Sequence, residues 1–228
     1  MPARANADYD GGTFRRSPPP VQIQPLFATP LVTANLGRGS PMLASLREII
    51  LAREVTEPGG IQHSNDGGWQ SHDDFIAWTG TAGAALVDGV TQMINRLTTI
   101  VEGGKLEKRP LPWRINAWAN INRRGDGNMP HYHPGAVWSA VVYVDDGGIN
   151  GGQSLGGCLE LSDPRGALPI MYAPTVKVDA PGFLSAGLAE RVWPETGLIV
   201  IFPSWLLHSV APYHGDGIRI SVAMNFAL

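Results

Sequence analysis

The hydrophobic period of this chain changes once, and that change fixes what the chain can build. Before it, apolar residues return every three or four positions: Leu43, Leu46, Ile49 and Ile50, then Leu86, Val90, Met93, Ile94, Leu97 and Val101. Such spacing puts them on one face of a helix. From Trp113 the period is two, with Ile115, Ala117, Ala119 and Ile121 alternating with Asn116, Trp118, Asn120 and Asn122. Alternation of this kind is a strand with one apolar and one polar face, and the polar face here is rich in amides.

Ser40-Pro41 offers an N-cap followed by a proline at the first helical position, which starts one helix over about 41 to 54. A second helix runs from Thr81. Strand-like runs follow Trp113 at about 136–145, 157–162, 173–179, 188–193, 197–202, 208–213 and 218–227, separated by Gly, Pro and Asp turns. The 28 glycines and 19 prolines suit many short strands joined by tight turns. Two helices followed by about eight strands predict a mainly β fold with flanking helices: a jelly roll, or double-stranded β-helix, backed by two helices, with a cavity between its sheets. An open sandwich without a cavity is the alternative.

Residues 1–20, with Arg4, Arg15, Arg16 and the triplet Pro18-Pro19-Pro20, read as a flexible arm, and 21–228 as a single domain. The arm has no apolar core of the kind a signal peptide needs. Val21–Thr29 reads as a short edge strand, and His63–Trp78, rich in Gly, Asn, Asp and Ser, as an ordered loop. A net charge of −3 supplies no basic field to draw the chain onto nucleic acid or an anionic membrane. The only cysteine, Cys158, cannot form an internal disulfide, so a reducing compartment, the cytoplasm, is expected. Jelly rolls often pair through an edge strand, which makes a homodimer compatible with this reading.

The polar strands carry a candidate metal centre. His131-Tyr132-His133-Pro134 places two imidazoles at i and i+2, on one face if the segment is a strand. His208 ends the run Phe202-Pro203-Ser204-Trp205-Leu206-Leu207-His208, just after an apolar strand, and a third imidazole from a distant strand can close one side of a metal. Arg219 and Ser221 share a strand face and would present a guanidinium fork and a hydroxyl to a carboxylate. Tyr143, Asn120 and Asn122 are further candidates for cosubstrate contact, with packing or cross-strand pairing as their structural alternative. Trp118, Trp138 and Trp205 could line a mouth or pack in the core, and Ser64–Ser71, with Trp69 at its centre, could form a lid. The Gly-rich run from Gly147 lacks the strand-then-helix setting of a phosphate loop and reads as a long turn.

Ser64–Ser71, His131-Tyr132-His133-Pro134, Phe202–Trp205 with His208, and Gly217-Ile218-Arg219-Ile220-Ser221 running to Asn225-Phe226 together resemble the iron(II) and 2-oxoglutarate-dependent oxygenases. Within them the likeness is to the prolyl-hydroxylase-like members of bacteria and phages. The resemblance spans about residues 60 to 228. It implies a hydroxylase acting on a small molecule or peptide, with Fe(II) and 2-oxoglutarate bound. His131 and His208 would be iron ligands, Arg219 would bind the distal carboxylate of 2-oxoglutarate, and Ser221 would assist it. The superfamily's usual triad is two histidines and one carboxylate, whereas His133 stands here at the carboxylate's place. Three readings stand: His133 is the third ligand, a carboxylate such as Glu160 or Asp163 completes the set, or no iron binds productively. Two other functions stay open on the residues: a cupin-like three-histidine metalloenzyme that does not use 2-oxoglutarate, and a non-catalytic jelly-roll binding module.

Overall fold

A computed structural model of the chain describes residues 26–166 and 188–228, together with 22, 24, 175 and 176. The predicted arm at 1–20 and the predicted strand at 173–179 lie outside the described residues or almost wholly so. In chain order the elements are β1 (Val32–Asn35), α1 (Pro41–Thr56), β2 (Asn65–Asp66), β3 (Trp69–Gln70) and α2 (Phe75–Leu97). A hairpin of β4 (Ile100–Glu102) and β5 (Lys105–Glu107) follows. Then come β6 (Arg114–Asn122), β7 (Gly127–His131), β8 (Trp138–Asp146), β9 (Leu159–Ser162), β10 (Ala189–Val192), β11 (Leu198–Pro203), β12 (His208–Val210) and β13 (Arg219–Ala227).

The strands make a six-stranded sheet, β1-β11-β8-β13-β6-β3, and a five-stranded sheet, β10-β9-β12-β7-β2. From β6 to β13 the chain passes back and forth between them, β6, β8, β11 and β13 in the first and β7, β9, β10 and β12 in the second. That is the winding of a jelly roll. The period-two pattern explains why the six-stranded sheet is covered on one face. Ala117, Ala119 and Ile121 of β6 and Ile220, Val222, Met224 and Phe226 of β13 pack in one core with Leu43, Leu46 and Ile50 of α1 and Phe75, Leu86, Val90 and Ile94 of α2. Each fully buried Leu, Ile or Phe contributes roughly 1.5–3 kcal/mol, so the helices are held by their apolar stripes. The alternate residues, Trp118 and Asn120 of β6 and Arg219, Ser221, Ala223 and Asn225 of β13, face the other way and line a cavity between the sheets. A smaller cluster of Tyr143, Leu159, Leu161, Val200, Phe202 and Leu206 fills the rest of that space.

Three expectations shift. Of the edge strand predicted at Val21–Thr29, the described residues 22, 24 and 26–29 form no strand; β1 begins at Val32 and joins β11 from Val32↔Ile201 to Asn35↔Leu198. Pro30 cannot donate to a ladder and Phe27 sits at φ 57, which keeps 26–30 out of the sheet. The second helix starts at Phe75 rather than Thr81, because Gly80 interrupts its regular pattern at φ 58, ψ −140. Val101 leaves that helix and joins the β4–β5 hairpin, which turns at Gly103 and Gly104 (φ 57 and 78).

Candidate metal centre

β7 and β12 are neighbours, and their register sets His131 directly opposite His208. Their ring centroids are 4.3 Å apart, and the His133 ring stands 4.9 Å from His131 and 5.0 Å from His208. One ring nitrogen from each lies within 4.8 Å of the others. The expectation that His131 and His133 share one strand needs correcting, since β7 ends at His131. Pro134 and Gly135 (φ 86) turn the chain there, and His133 is held instead by backbone bonds, its N–H donating to Ser204 O at 3.2 Å and its carbonyl accepting from Ala136 N at 3.3 Å. Its ring comes to the same place from a turn, packed edge-on to Trp118 at 5.7 Å.

The tautomers follow from the acceptors. His131 Nδ1 faces Met129 O at 2.7 Å and His208 Nδ1 faces Leu206 O at 2.8 Å. A carbonyl only accepts, so both Nδ1 atoms carry the proton and both Nε2 lone pairs are left for a ligand, the usual arrangement of a metal-bound histidine. Burial keeps the rings uncharged: it lowers His131, and pushes His208 down to about 4 and His133 to about 3, the neighbouring imidazoles adding to the effect on those two. The alternative carboxylates are engaged elsewhere. Glu160 sits beside Leu161, the residue opposite His208, and so points to the other face of β9, where its Oε1 accepts from Arg191 Nε at 2.8 Å. Asp163 Oδ2 accepts from Arg165 Nη2 at 2.8 Å.

Arg219, at 1 % exposure, is the largest fully buried side chain described. Its Nη1 donates to Asn122 Oδ1 at 2.8 Å, its guanidinium lies over the Tyr143 ring at 5.1 Å, and its Nε has no partner. Among the described residues no carboxylate pairs with it. The Tyr143 hydroxyl is likewise buried and unpartnered, its pKa raised by burial against the opposing pull of Arg219. A bulge brings these two together: β13 faces β8 as Ile220↔Asp145 and then Ser221↔Tyr143, which skips Val144 and re-aims the phenol. Arg219, Ser221, Tyr143 and Asn120 line the same inner cavity as the three imidazoles. Asn122 acts from behind, on Arg219.

Ser64, Asn128 and Asn225, to which sequence reasoning assigned no role at the metal centre, also line this cavity. Ser64 Oγ lies 3.4 Å from His131 Nε2 and accepts from Asn128 Nδ2 at 3.5 Å. Of the tryptophans, Trp118 lines the cavity, Trp138 turns away to donate to Thr98 Oγ1 at 2.9 Å, and Trp205 is exposed. The Ser64–Ser71 segment is no lid. Its β2 and β3 extend the two sheets, and Trp69 is buried, donating to Glu57 O at 2.8 Å.

Residues 116–225, which include the three histidines, Arg219 and Ser221, match the family described as "Putative 2OG-Fe(II) oxygenase". Over those residues the chain is similar to the 2OG-Fe(II) oxygenases. Solved structures share the fold of this chain at low identity. A Pseudomonas putida prolyl-4-hydroxylase is 17% identical with a TM-score of 0.56, covering 87% of this chain and 92% of its own. A Trichoplax adhaerens prolyl hydroxylase in complex with a hypoxia inducible factor peptide fragment is 15% identical with a TM-score of 0.58, covering 86% and 83%. HygX from Streptomyces hygroscopicus, with nickel and 2-oxoglutarate bound, is 15% identical with a TM-score of 0.53, covering 87% and 83%. No curated protein sequence matches. Among the described residues the cavity fits the groups that family uses: three imidazole nitrogens suit a divalent cation, and a buried guanidinium without a carboxylate suits a dicarboxylate. Among the described residues no helix is long and apolar enough to cross a membrane.

Proposed function

We propose that this chain is a 2OG-Fe(II) oxygenase, a hydroxylase that holds Fe(II) on His131, His133 and His208 and takes 2-oxoglutarate with its distal carboxylate on Arg219. The observation that carries the reading is the pairing, within one cavity, of three uncharged imidazoles and a buried arginine that has no acidic partner. Together the iron and 2-oxoglutarate supply oxidative decarboxylation to succinate and carbon dioxide, coupled to oxygen insertion into a C–H bond of a small molecule or peptide.

The protein's own residues prepare the cavity for that chemistry. Met129 O and Leu206 O fix the ring orientation and tautomer of His131 and His208, so the ligand lone pairs are preorganised. Asn122 holds one end of the Arg219 fork and leaves Nε and Nη2 to meet a carboxylate, while the Tyr143 and Ser221 hydroxyls stand beside it as further donors. Phe202 packs edge-on against His208 at 4.9 Å and Leu159 closes the wall beside it, excluding water.

A second reading rests on the imidazole-only donor set, which also suits a metalloenzyme that binds its substrate directly and never consumes 2-oxoglutarate. Anaerobic titration with Fe(II) and 2-oxoglutarate separates the two. A visible metal-to-ligand charge-transfer band, followed by succinate on admission of oxygen, supports the first; no band at saturating ligand rules it out. The single, buried Cys158 fits a reducing cytoplasm.

A further inference from the structure

Outside the inner cavity opens a wider cleft of about 680 Å³, within the usual range for small-molecule sites. The two spaces share Ser64, Trp118, His131, His133 and Asn225, so a molecule seated in the cleft faces the imidazoles. The chemistry of its walls is one-sided. Among the described residues they carry no lysine and no arginine, and Asp73 is their only carboxylate. Neighbouring Asp74 is engaged, accepting from Trp78 Nε1 at 3.0 Å and lying 4.0 Å from Arg53 Nη2. Asp73 has no such partner among the described residues.

The floor of the cleft is made of amides. Gln70, at 4 % exposure, has no side-chain hydrogen bond among the described residues, and Asn116 is open to the cleft. Asn225 uses Oδ1 to accept from Ser139 Oγ at 2.8 Å, which leaves its NH₂ for a ligand. Trp118 adds an aromatic surface beside His133. A lone carboxylate in a concave wall, with no fixed cation near it, sets a negative potential there. Apart from imidazoles, His63 and His72 among them, the described walls offer an anion no basic group. The two chambers are therefore sorted by sign: the inner one has Arg219 for an anion, and the outer one has Asp73 for a cation.

We propose that the outer cleft is the substrate site and that it selects a compound bearing an amine or guanidinium, with Asp73 as counter-ion and Gln70, Asn116 and Asn225 as the groups that orient it. This inference rests on the reading of the inner cavity as the iron and 2-oxoglutarate site. The test uses the full chain with Fe(II) and saturating 2-oxoglutarate, without oxygen, at about pH 8, above the usual imidazole range. Three probes share one scaffold and differ in side-chain charge: Nα-acetyl-lysinamide, its Nε-acetyl derivative and its Nε-succinyl derivative. The readout is the probe concentration that half-perturbs the charge-transfer band. The cationic probe should act at about three- to fivefold lower concentration than the neutral one, as an exposed ion pair allows, and the anionic probe should be weakest. Asp73→Asn should erase that order while leaving the unperturbed band as it was. An equal or reversed order, no perturbation by the cationic probe, or an order that survives Asp73→Asn overturns the inference with the band intact. If no band forms, the cosubstrate reading fails and takes the inference with it.

Discussion

Replacing Arg219 by methionine should change stability and cosubstrate binding in opposite directions. Arg219 is fully buried, has no acidic partner among the described residues, and spends only Nη1 on a protein acceptor, Asn122 Oδ1 at 2.8 Å. Replacing buried charges by apolar side chains of similar volume is often neutral or stabilising by about 1–4 kcal/mol. Against that, the buried Asn122 amide loses its partner, a cost of about 1 kcal/mol or somewhat more. The net expectation for the ligand-free protein is a gain of about 0–3 kcal/mol, or up to roughly 10 °C in melting temperature for a chain of this size. Binding of 2-oxoglutarate should weaken at least about a hundredfold, because two charge-assisted hydrogen bonds of about 1.5–3 kcal/mol each are removed. Calorimetry of the metal-free protein and a 2-oxoglutarate titration of the Fe(II)-loaded protein measure the two quantities. A variant that melts far below the parent and binds 2-oxoglutarate as tightly would show that Arg219 is a structural group, and the reasoning from its unpartnered charge would be wrong.

The buried histidines give a pH dependence whose sign is fixed. Their folded pKa values lie below the usual 6.5, at about 4 for His208 and about 3 for His133, so the unfolded chain binds more protons as acidity rises. Metal-free protein should hold its full histidine contribution above about pH 6.5 and lose stability as pH falls toward 4 and then 3; an unchanged urea midpoint between neutral pH and about pH 5 would count against it. His133→Asp removes one imidazole and adds a negative charge, so the Mn(II) affinity should rise relative to Zn(II). Equal shifts for both metals in competition dialysis would show that His133 does not face the ion. Gly68 sits at φ 68, and an added Cβ would lie 2.8 Å from Ile121 O. Gly68→Ala should therefore cost about 2–3 kcal/mol of stability, whereas a thermal melt within 2 °C of the parent would show that the turn can relax.

Much of this was legible because the alternation is physically enforced. Ala117, Ala119 and Ile121 must face the helices if Trp118 and Asn120 are to face the cavity, and the same parity carries Arg219 and Ser221 with them. What escaped depended on contacts that no local pattern records. β2 and β3 are two residues each, too short to show a period, and the Gly67-Gly68 turn between them resembles a loop more than a bridge between sheets. The β4–β5 hairpin was hidden because Val101 and Leu106 are both exposed, so neither face of it alternates. Spacing placed His131 and His133 on one strand; the turn at Pro134-Gly135 reaches the same convergence by another route. Ser64, Asn128 and Asn225 join the site through the pairing of β2 with β7 and of β13 with β6, which sequence spacing does not reveal.

The central claim is that three imidazoles, with no carboxylate, hold the ion. Metal-edge X-ray absorption on the Fe(II)-loaded protein and on its His133→Ala variant counts the rings directly. The account predicts three imidazole scatterers in the parent and two in the variant. Two in both, with a carboxylate oxygen completing the parent's protein ligands, would contradict it.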